Sequence, residues 1–169
     1  MSDAAEFYGN TYLTFYLDHE LFGLNIQTVR EVLDYTPITR VPMTADFMRG
    51  VINVRGHVVP VVDLRQKFGL TATEHTVDTC IIIVELEIDG EISIVGALVD
   101  GVQEVLEISS ARIAPPPRLG TKIDTRFMQG IGKLGDRFVM LLDIQAIFSM
   151  DELFILTGMQ DQEAAEAVC

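Results

Sequence analysis

A mainly β chain, folded as two small barrels that repeat one pattern and joined by few short helices, is the architecture expected of this sequence. Three observations lead there. The apolar residues come in short runs rich in Val, Ile, Phe and Tyr, bounded by Gly, Asp or Asn, which is the pattern of strands rather than of long helices. Asp89-Gly90 sits between two such runs, a strong hairpin signal. The chain also repeats itself. VREVLDYTPITRVP (Val29–Pro42) returns as VQEVLEISSARIAP (Val102–Pro115), offset by 73, and FMRGVINVRGHVVPVVDLRQKF (Phe47–Phe68) returns as FMQGIGKLGDRFVMLLDIQAIF (Phe127–Phe148), offset by 80. Period-2 strands of this length must bury one face, and two copies packed face to face supply the cover.

Along the chain, Tyr12–Leu17 reads as the first strand. From Ile26, the apolar positions Val29, Val32 and Leu33 keep helical spacing, predicting an amphipathic helix of about two turns. Phe47-Met48 predicts a further short helical turn. Val58–Val62 reads as a strand that Pro60 demotes to an edge or a bulge, because proline has no N–H to give a ladder. Leu64–Phe68 predicts a short helix, Cys80–Leu86 and Ile92–Val99 the hairpin around Asp89-Gly90, and Phe138–Leu142 a last strand. Ser149 is placed to cap a final helix, with Asp151 and Glu152 in its first turn and Gly158 as its stop. The expected division is a flexible N-terminus over 1–10, a domain over 11–150 and a short helix and tail over 149–169. Within the domain, lobe one covers about 11–70 and lobe two about 79–148, with room for strands to exchange between them.

Composition narrows the function. The 169 residues carry 12 Lys+Arg against 25 Asp+Glu, a net charge of −13, which argues against nucleic acid and anionic membranes, since both need clustered positive charge. The longest apolar runs, such as Ile81–Val84, are too short to cross a bilayer, so no direct membrane insertion is expected. The first residues are acidic and form no secretory signal. Cys80 lies in an apolar run and Cys169 is terminal, so no disulfide is expected and a reducing cytoplasm fits.

No catalytic set emerges, and no cofactor is expected. His19, His57 and His75 are scattered without metal-ligand spacing, no GxSxG elbow is present, and the carboxylates spread along the chain. Gly130-Ile131-Gly132-Lys133-Leu134-Gly135 is a literal GxGxxG, the remote basis for a nucleotide-binding enzyme using Gly130, Gly132 and Gly135. The segment that follows reads as a strand, without the helix whose N-terminus would hold phosphate, and the first copy, Gly50 to Gly56, shares only the first glycine. Gly132 and Gly135 are expected to serve a tight turn. The charges that stand out are Glu31, its repeat Glu104, and Arg55 before the turn Gly56-His57. An Arg55 guanidinium near the seam is placed either to orient a partner or simply to hold a stabilising ion pair.

The strings YLTFYLDHELFGLNIQTVREVL, ITRVP, RGVINVRGHVVPVVDLR, VDGVQEVL, PPP and FMQGIGKLGDRFVMLLDI resemble the CheW family of bacterial chemotaxis coupling proteins, from about Tyr12 to about Phe148. The resemblance implies two five-stranded, SH3-like barrels related by a pseudo-twofold, and a non-catalytic adaptor. Its partners would be the cytoplasmic tip of methyl-accepting chemotaxis receptors and the regulatory domain of the histidine kinase CheA. The protein would be cytoplasmic and drawn to membrane receptor arrays through those partners. Carried over, the receptor-binding residues are Val29, Glu31, Gly50, Arg55, Val102 and Val105, with Gly50 a place where a partner's backbone approaches. The kinase-facing edge falls on Pro115, Pro116, Pro117 and Leu119. No receiver domain fits after Phe148, so a stand-alone coupling protein is expected. A related system with another output, such as surface motility, remains an alternative.

Overall fold

The seam between the two lobes is the most heavily buried part of the chain, and the strands are explained by which side of it they face. The computed structural model describes residues 10–42, 46–88, 90–116 and 125–147. Its strands are β1 (Thr11–Leu17), β2 (Glu20–Asn25), β3 (Val29–Asp34), β4 (Met48–Val54), β5 (His57–Asp63), β6 (Cys80–Ile88), β7 (Glu91–Val99), β8 (Gly101–Glu107), β9 (Ile113–Ala114), β10 (Met128–Leu134) and β11 (Arg137–Leu142). Two one-turn helices, α1 (Leu64–Lys67) and α2 (Ile144–Ile147), follow β5 and β11.

The strands form a five-stranded sheet, β3-β6-β7-β5-β4, and a six-stranded sheet, β8-β1-β2-β11-β10-β9. Neither sheet is drawn from one half of the chain. β1 and β2 pair with strands of the second copy, whereas β6 and β7 pair with strands of the first. The repeat is exact at the joins: β5 meets β7 in parallel with Val61 opposite Gly96, and β11 meets β2 in parallel with Leu141 opposite Gly23. The sixth strand, β9, is only two residues long. Its counterpart in the first lobe is the lone bridge of Thr39 with Val51.

Alternation along the strands builds three cores. On β6, Ile81 and Ile83 join Ile52, Val59, Val61 and Leu98 inside the first barrel. Tyr12, Leu21, Ile108, Val139 and Leu141 fill the second. The intervening residues, including Phe15, Phe22, Ile82, Val84, Leu86 and Leu142, meet in the seam with Leu64, Phe68, Ile144 and Ile147 from the short helices. β6 is buried on both faces, hence the unbroken run CIIIV in place of simple alternation. Phe15, Phe22, Phe68 and Phe127 form a chain of rings across the seam, with centroids 6.0, 6.3 and 5.9 Å apart.

Three local expectations are corrected. The predicted helix from Ile26 is a three-residue 3-10 turn, Ile26–Thr28, capped by the Asn25 side chain accepting from Gln27 N at 2.9 Å, and the chain then enters β3. The window is too short for the helical spacing of Val29, Val32 and Leu33 to decide: in the strand Val29 and Leu33 are half-buried and Val32 is exposed, and pairing with β6 fixes it. The same holds for the repeat over β8. Phe47-Met48 is no helical turn either, since Met48 opens β4; in the repeat, Phe127 ends a 3-10 turn, Thr125–Phe127, and Met128 opens β10. Pro60 lies on an interior strand rather than an edge. Val51, opposite Pro60, exchanges its backbone bonds with Thr39, and the ladder to β7 starts only at Val61, so no bond is missing at the proline. The other predicted strands and the Leu64–Phe68 turn are present, and the helix expected from Ser149 lies outside the described residues.

Candidate functional site

Glu31 and Arg55, 24 residues apart in sequence, meet at the mouth of the first barrel. Val54 pairs with His57 across a two-residue turn in which Arg55 and Gly56 both have positive φ, +50° and +86°, the pattern of a type I′ hairpin. The Asn53 side chain accepts from Gly56 N at 2.8 Å and closes the turn. A left-handed backbone is unfavourable for arginine, so this conformation is held by the hairpin twist. It sends the guanidinium over the opening between β4 and β3, the two edges of the sheet. There Arg55 Nη1 donates to Glu31 Oε1 at 2.6 Å and Nη2 to Oε2, a bidentate fork.

Beneath the fork lies a cleft of about 650 Å³ with Val59 and Ile83 at its floor, Ile92 and Ile94 along one wall and Arg30 and His57 on its rim. Arg55 stays 70% exposed and Ile92 67% exposed, so both are free to meet a partner. An exposed ion pair contributes little to stability. A planar fork beside exposed apolar side chains is, however, suited to fixing the orientation of a docked protein segment.

The hydrogen bonds from Arg55 hold the Glu31 carboxyl below its usual value of 4.5. A depressed folded value means that the pair's contribution is complete above the unfolded value and is lost as pH falls through the lowered one. In a carbon-13 NMR titration, Glu31 is expected to remain ionised below pH 4.5 and to return to the ordinary range in Arg55→Ala. A titration unchanged by that substitution would show that the fork does not form in solution.

The remaining expected site residues are spread over both lobes. Val29 and Val102, repeats of one another, are half-buried at the start of β3 and β8 and both pack on the seam core. Val102 lines a second groove, of about 1050 Å³, that runs between β8 and the loop before β6. Val105 on β8 is 52% exposed. Among the described residues no arginine pairs with that lobe's Glu104, and Gly135 stands where the repeat has Arg55. Gly50 is buried, with φ +142°, against the chain's own Thr39 carbonyl, so its lack of a side chain is accounted for without a partner. Pro115 is exposed and Pro116 half-buried at the end of the edge strand β9; Pro117 and Leu119 lie outside the described residues.

The GxGxxG glycines do not form a phosphate cradle. Gly130 and Gly132 are inside β10, and a Cβ on Gly132 would come 3.0 Å from Ile108 Cδ1, so that glycine serves strand packing rather than the expected turn. Gly135 does make the turn, and β11 follows it where a dinucleotide site needs a helix.

The residues from 11 to 152 match the model of the CheW-like domain. The chain belongs to the CheW-like family. It is 35% identical over 153 residues to the chemotaxis protein CheW of Klebsiella aerogenes, covering 90% of both chains. Over 144 residues it is 32% identical to the chemotaxis protein CheW of Rhizobium meliloti, covering 85% of this chain and 90% of that one. The crystal structure of the scaffolding protein TtCheW from Thermoanaerobacter tengcongensis superposes with a TM-score of 0.74 at 39% identity, over 83% of this chain and 88% of that one. The CheW-like family is one of chemotaxis scaffold and coupling proteins, not enzymes, and the fold is that of its paired SH3-like lobes. Among the described residues, no helix is long and apolar enough to cross a membrane.

Sequence reasoning missed the buried Asp63 that caps α1 and the pair that ties the lobes at their crossing, Arg65 and Asp100. A signal existed for the first: Asp63 and its repeat Asp143 each precede a short helix, the place of an N-cap.

Proposed function

We propose that this chain is a non-catalytic adaptor that couples methyl-accepting chemotaxis receptors to the histidine kinase CheA, and that it works in the cytoplasm at receptor arrays. The observation that carries the reading is the Glu31–Arg55 fork, exposed at the mouth of a barrel whose interior is otherwise filled. Family membership supports this choice of partners. In this reading the receptor's helical hairpin lays apolar residues against Val29, Val102 and Val105 while Glu31 and Arg55 set its orientation, a helix-in-groove mode. The kinase regulatory domain meets the edge of the second lobe at β9 and the Pro115-Pro116-Pro117 loop with Leu119. Among the described residues β9 pairs on one side only, and consecutive prolines lower the ordering cost of binding.

Calorimetric titration with a receptor-tip fragment and, separately, with the CheA regulatory domain tests this. Binding to both is expected, and absence of binding to either refutes the adaptor role. Arg55→Ala is expected to weaken the receptor complex about tenfold, as loss of an orienting bidentate contact does. Its melting temperature should stay close to that of the parent. A collapse in melting temperature would instead make the fork structural.

A further inference from the structure

We infer that Arg65 is a positioning residue for receptor binding: it fixes where the β8 edge stands relative to the other lobe. The inference rests on the adaptor reading above. Arg65 is the second residue of α1, and its side chain is only 16% exposed. Nε donates to the Thr71 carbonyl at 2.9 Å, Nη1 to Asp100 Oδ2 at 2.8 Å and Nη2 to Thr71 Oγ1 at 3.1 Å, while Asp18 Oδ1 lies 3.8 Å from Nη2. Asp100 Oδ2 also accepts from Asp18 N at 2.8 Å.

Those partners belong to different parts of the fold. Asp100 is the single residue between β7, in the five-stranded sheet, and β8, in the six-stranded one, so it is where the chain crosses the seam. Asp18 sits in the β1–β2 turn with φ +52°. β8 is an edge strand, held on one side by β1 alone, and its first residues, Gly101 and Val102, line the groove that Arg65, Asp100 and Tyr16 also line. The other crossing, from β2 to β3, is fixed differently, by the 3-10 turn capped by Asn25. The repeat of Arg65, Gln145, does not reach that crossing; it brackets the backbone of Glu87, accepting from its N at 2.6 Å and donating to its O at 3.1 Å. One guanidinium thus bridges three segments at the β8 crossing, where Asp100 N also donates to the Tyr16 carbonyl at 3.1 Å, and β8 carries the apolar residues Val102 and Val105.

The opposite edge of the same sheet, β9, supplies none of the hydrogen-bond or ion-pair partners of this network, which provides the discriminating measurement. In the full chain, Arg65→Ala is expected to weaken binding of the receptor-tip fragment about tenfold, a coupling of ordinary size between linked elements. Binding of the CheA regulatory domain should change by less than about twofold, as for distant sites. Amide NMR shifts should concentrate in Gly101–Val105 and the β1–β2 turn. Arg65→Lys keeps the charge without the fork and should fall between. Asp100→Asn leaves Arg65 in place, and should reproduce the same selective loss even if Arg65→Ala folds poorly. Unchanged receptor binding in both Asp100→Asn and Arg65→Lys, or equal loss of both partners, would overturn the inference. An unaltered chain that binds neither partner would defeat the adaptor reading instead.

Discussion

Gly50→Ala should be among the most damaging single substitutions in this chain. A Cβ built on Gly50 falls 2.1 Å from the Thr39 carbonyl oxygen and 2.7 Å from its carbon, on a backbone at φ +142° that L-residues rarely adopt. The obstacle is backbone, and that backbone is engaged: Thr39 N donates to the Val51 carbonyl at 2.9 Å and Val51 N to the Thr39 carbonyl at 2.8 Å. Relief of the overlap therefore requires breaking the bridge that lays residues 38–41 on β4. Conformational strain and the two lost bonds together should cost about 3–5 kcal/mol. In a chain of this size that lowers the melting temperature by roughly 10 °C or more. Thermal unfolding followed by circular dichroism measures it, and a shift under about 3 °C would show that the Thr39 segment yields easily. Gly56→Ala is the control for φ alone, since nothing lies within 4 Å of its Cβ; it should cost about 1 kcal/mol.

Asp63→Ala should rank beside it, for an electrostatic reason. The Asp63 carboxylate is fully buried at the junction of β5 and α1 and has no unsatisfied oxygen. Oδ1 accepts from Arg65 N at 3.0 Å, capping α1, and from Thr73 Oγ1 at 2.8 Å; Oδ2 accepts from Thr73 N at 2.8 Å and lies 3.4 Å from Arg49 Nη1. Alanine would remove the cap and leave the buried Thr73 donors and a partly covered arginine without an acceptor. An uncompensated set of this kind costs about 3–4 kcal/mol, more than the sum of bonds made suggests, because the desolvation of the orphaned donors is not recovered. Asp63→Asn, which keeps one acceptor oxygen, should cost about half of that. Among the described residues the repeat, Asp143, does no more than cap its helix, accepting from Gln145 N at 3.1 Å and Ala146 N at 3.3 Å, so Asp143→Ala should cost about 1 kcal/mol. Urea unfolding of the three variants provides the comparison. Equal losses at 63 and 143 would mean that capping accounts for the whole effect.

Much of the architecture was legible because strands announce themselves locally. The runs at Tyr12–Leu17, Cys80–Leu86 and Phe138–Leu142 are β-branched or aromatic and bounded by turn residues, and each became a strand within a residue or two. Segments of one or two turns were harder. Between Ile26 and Leu33 the apolar spacing follows a helical period over fewer than three turns, and pairing with β6 overrides it, leaving Val32 on the exposed face. Pro60 misled in the same way: its missing N–H implied an edge, but the bond it could not make is one that no neighbour offered at that point. For the candidate site, Glu31 and Arg55 were recognisable as charges among apolar residues. That they grip one another depends on a hairpin turn and a barrel closure that no local pattern contains.

By itself, the sequence determined the duplication, the strand content, the −13 charge and the family likeness, since each is a property of composition, spacing or repeated order. Tertiary structure alone decided how the copies combine. A repeat at offsets of 73 and 80 is equally compatible with two separate barrels, yet β1 and β2 pair with strands of the second copy and β6 and β7 with strands of the first. The exchanged strands β1, β2, β6 and β7 carry apolar residues on both faces, one set for a barrel and one for the seam. Exchange satisfies both sets at once, and the polar contacts of Arg65, Asp100 and Asp18 then tie the crossing point in place.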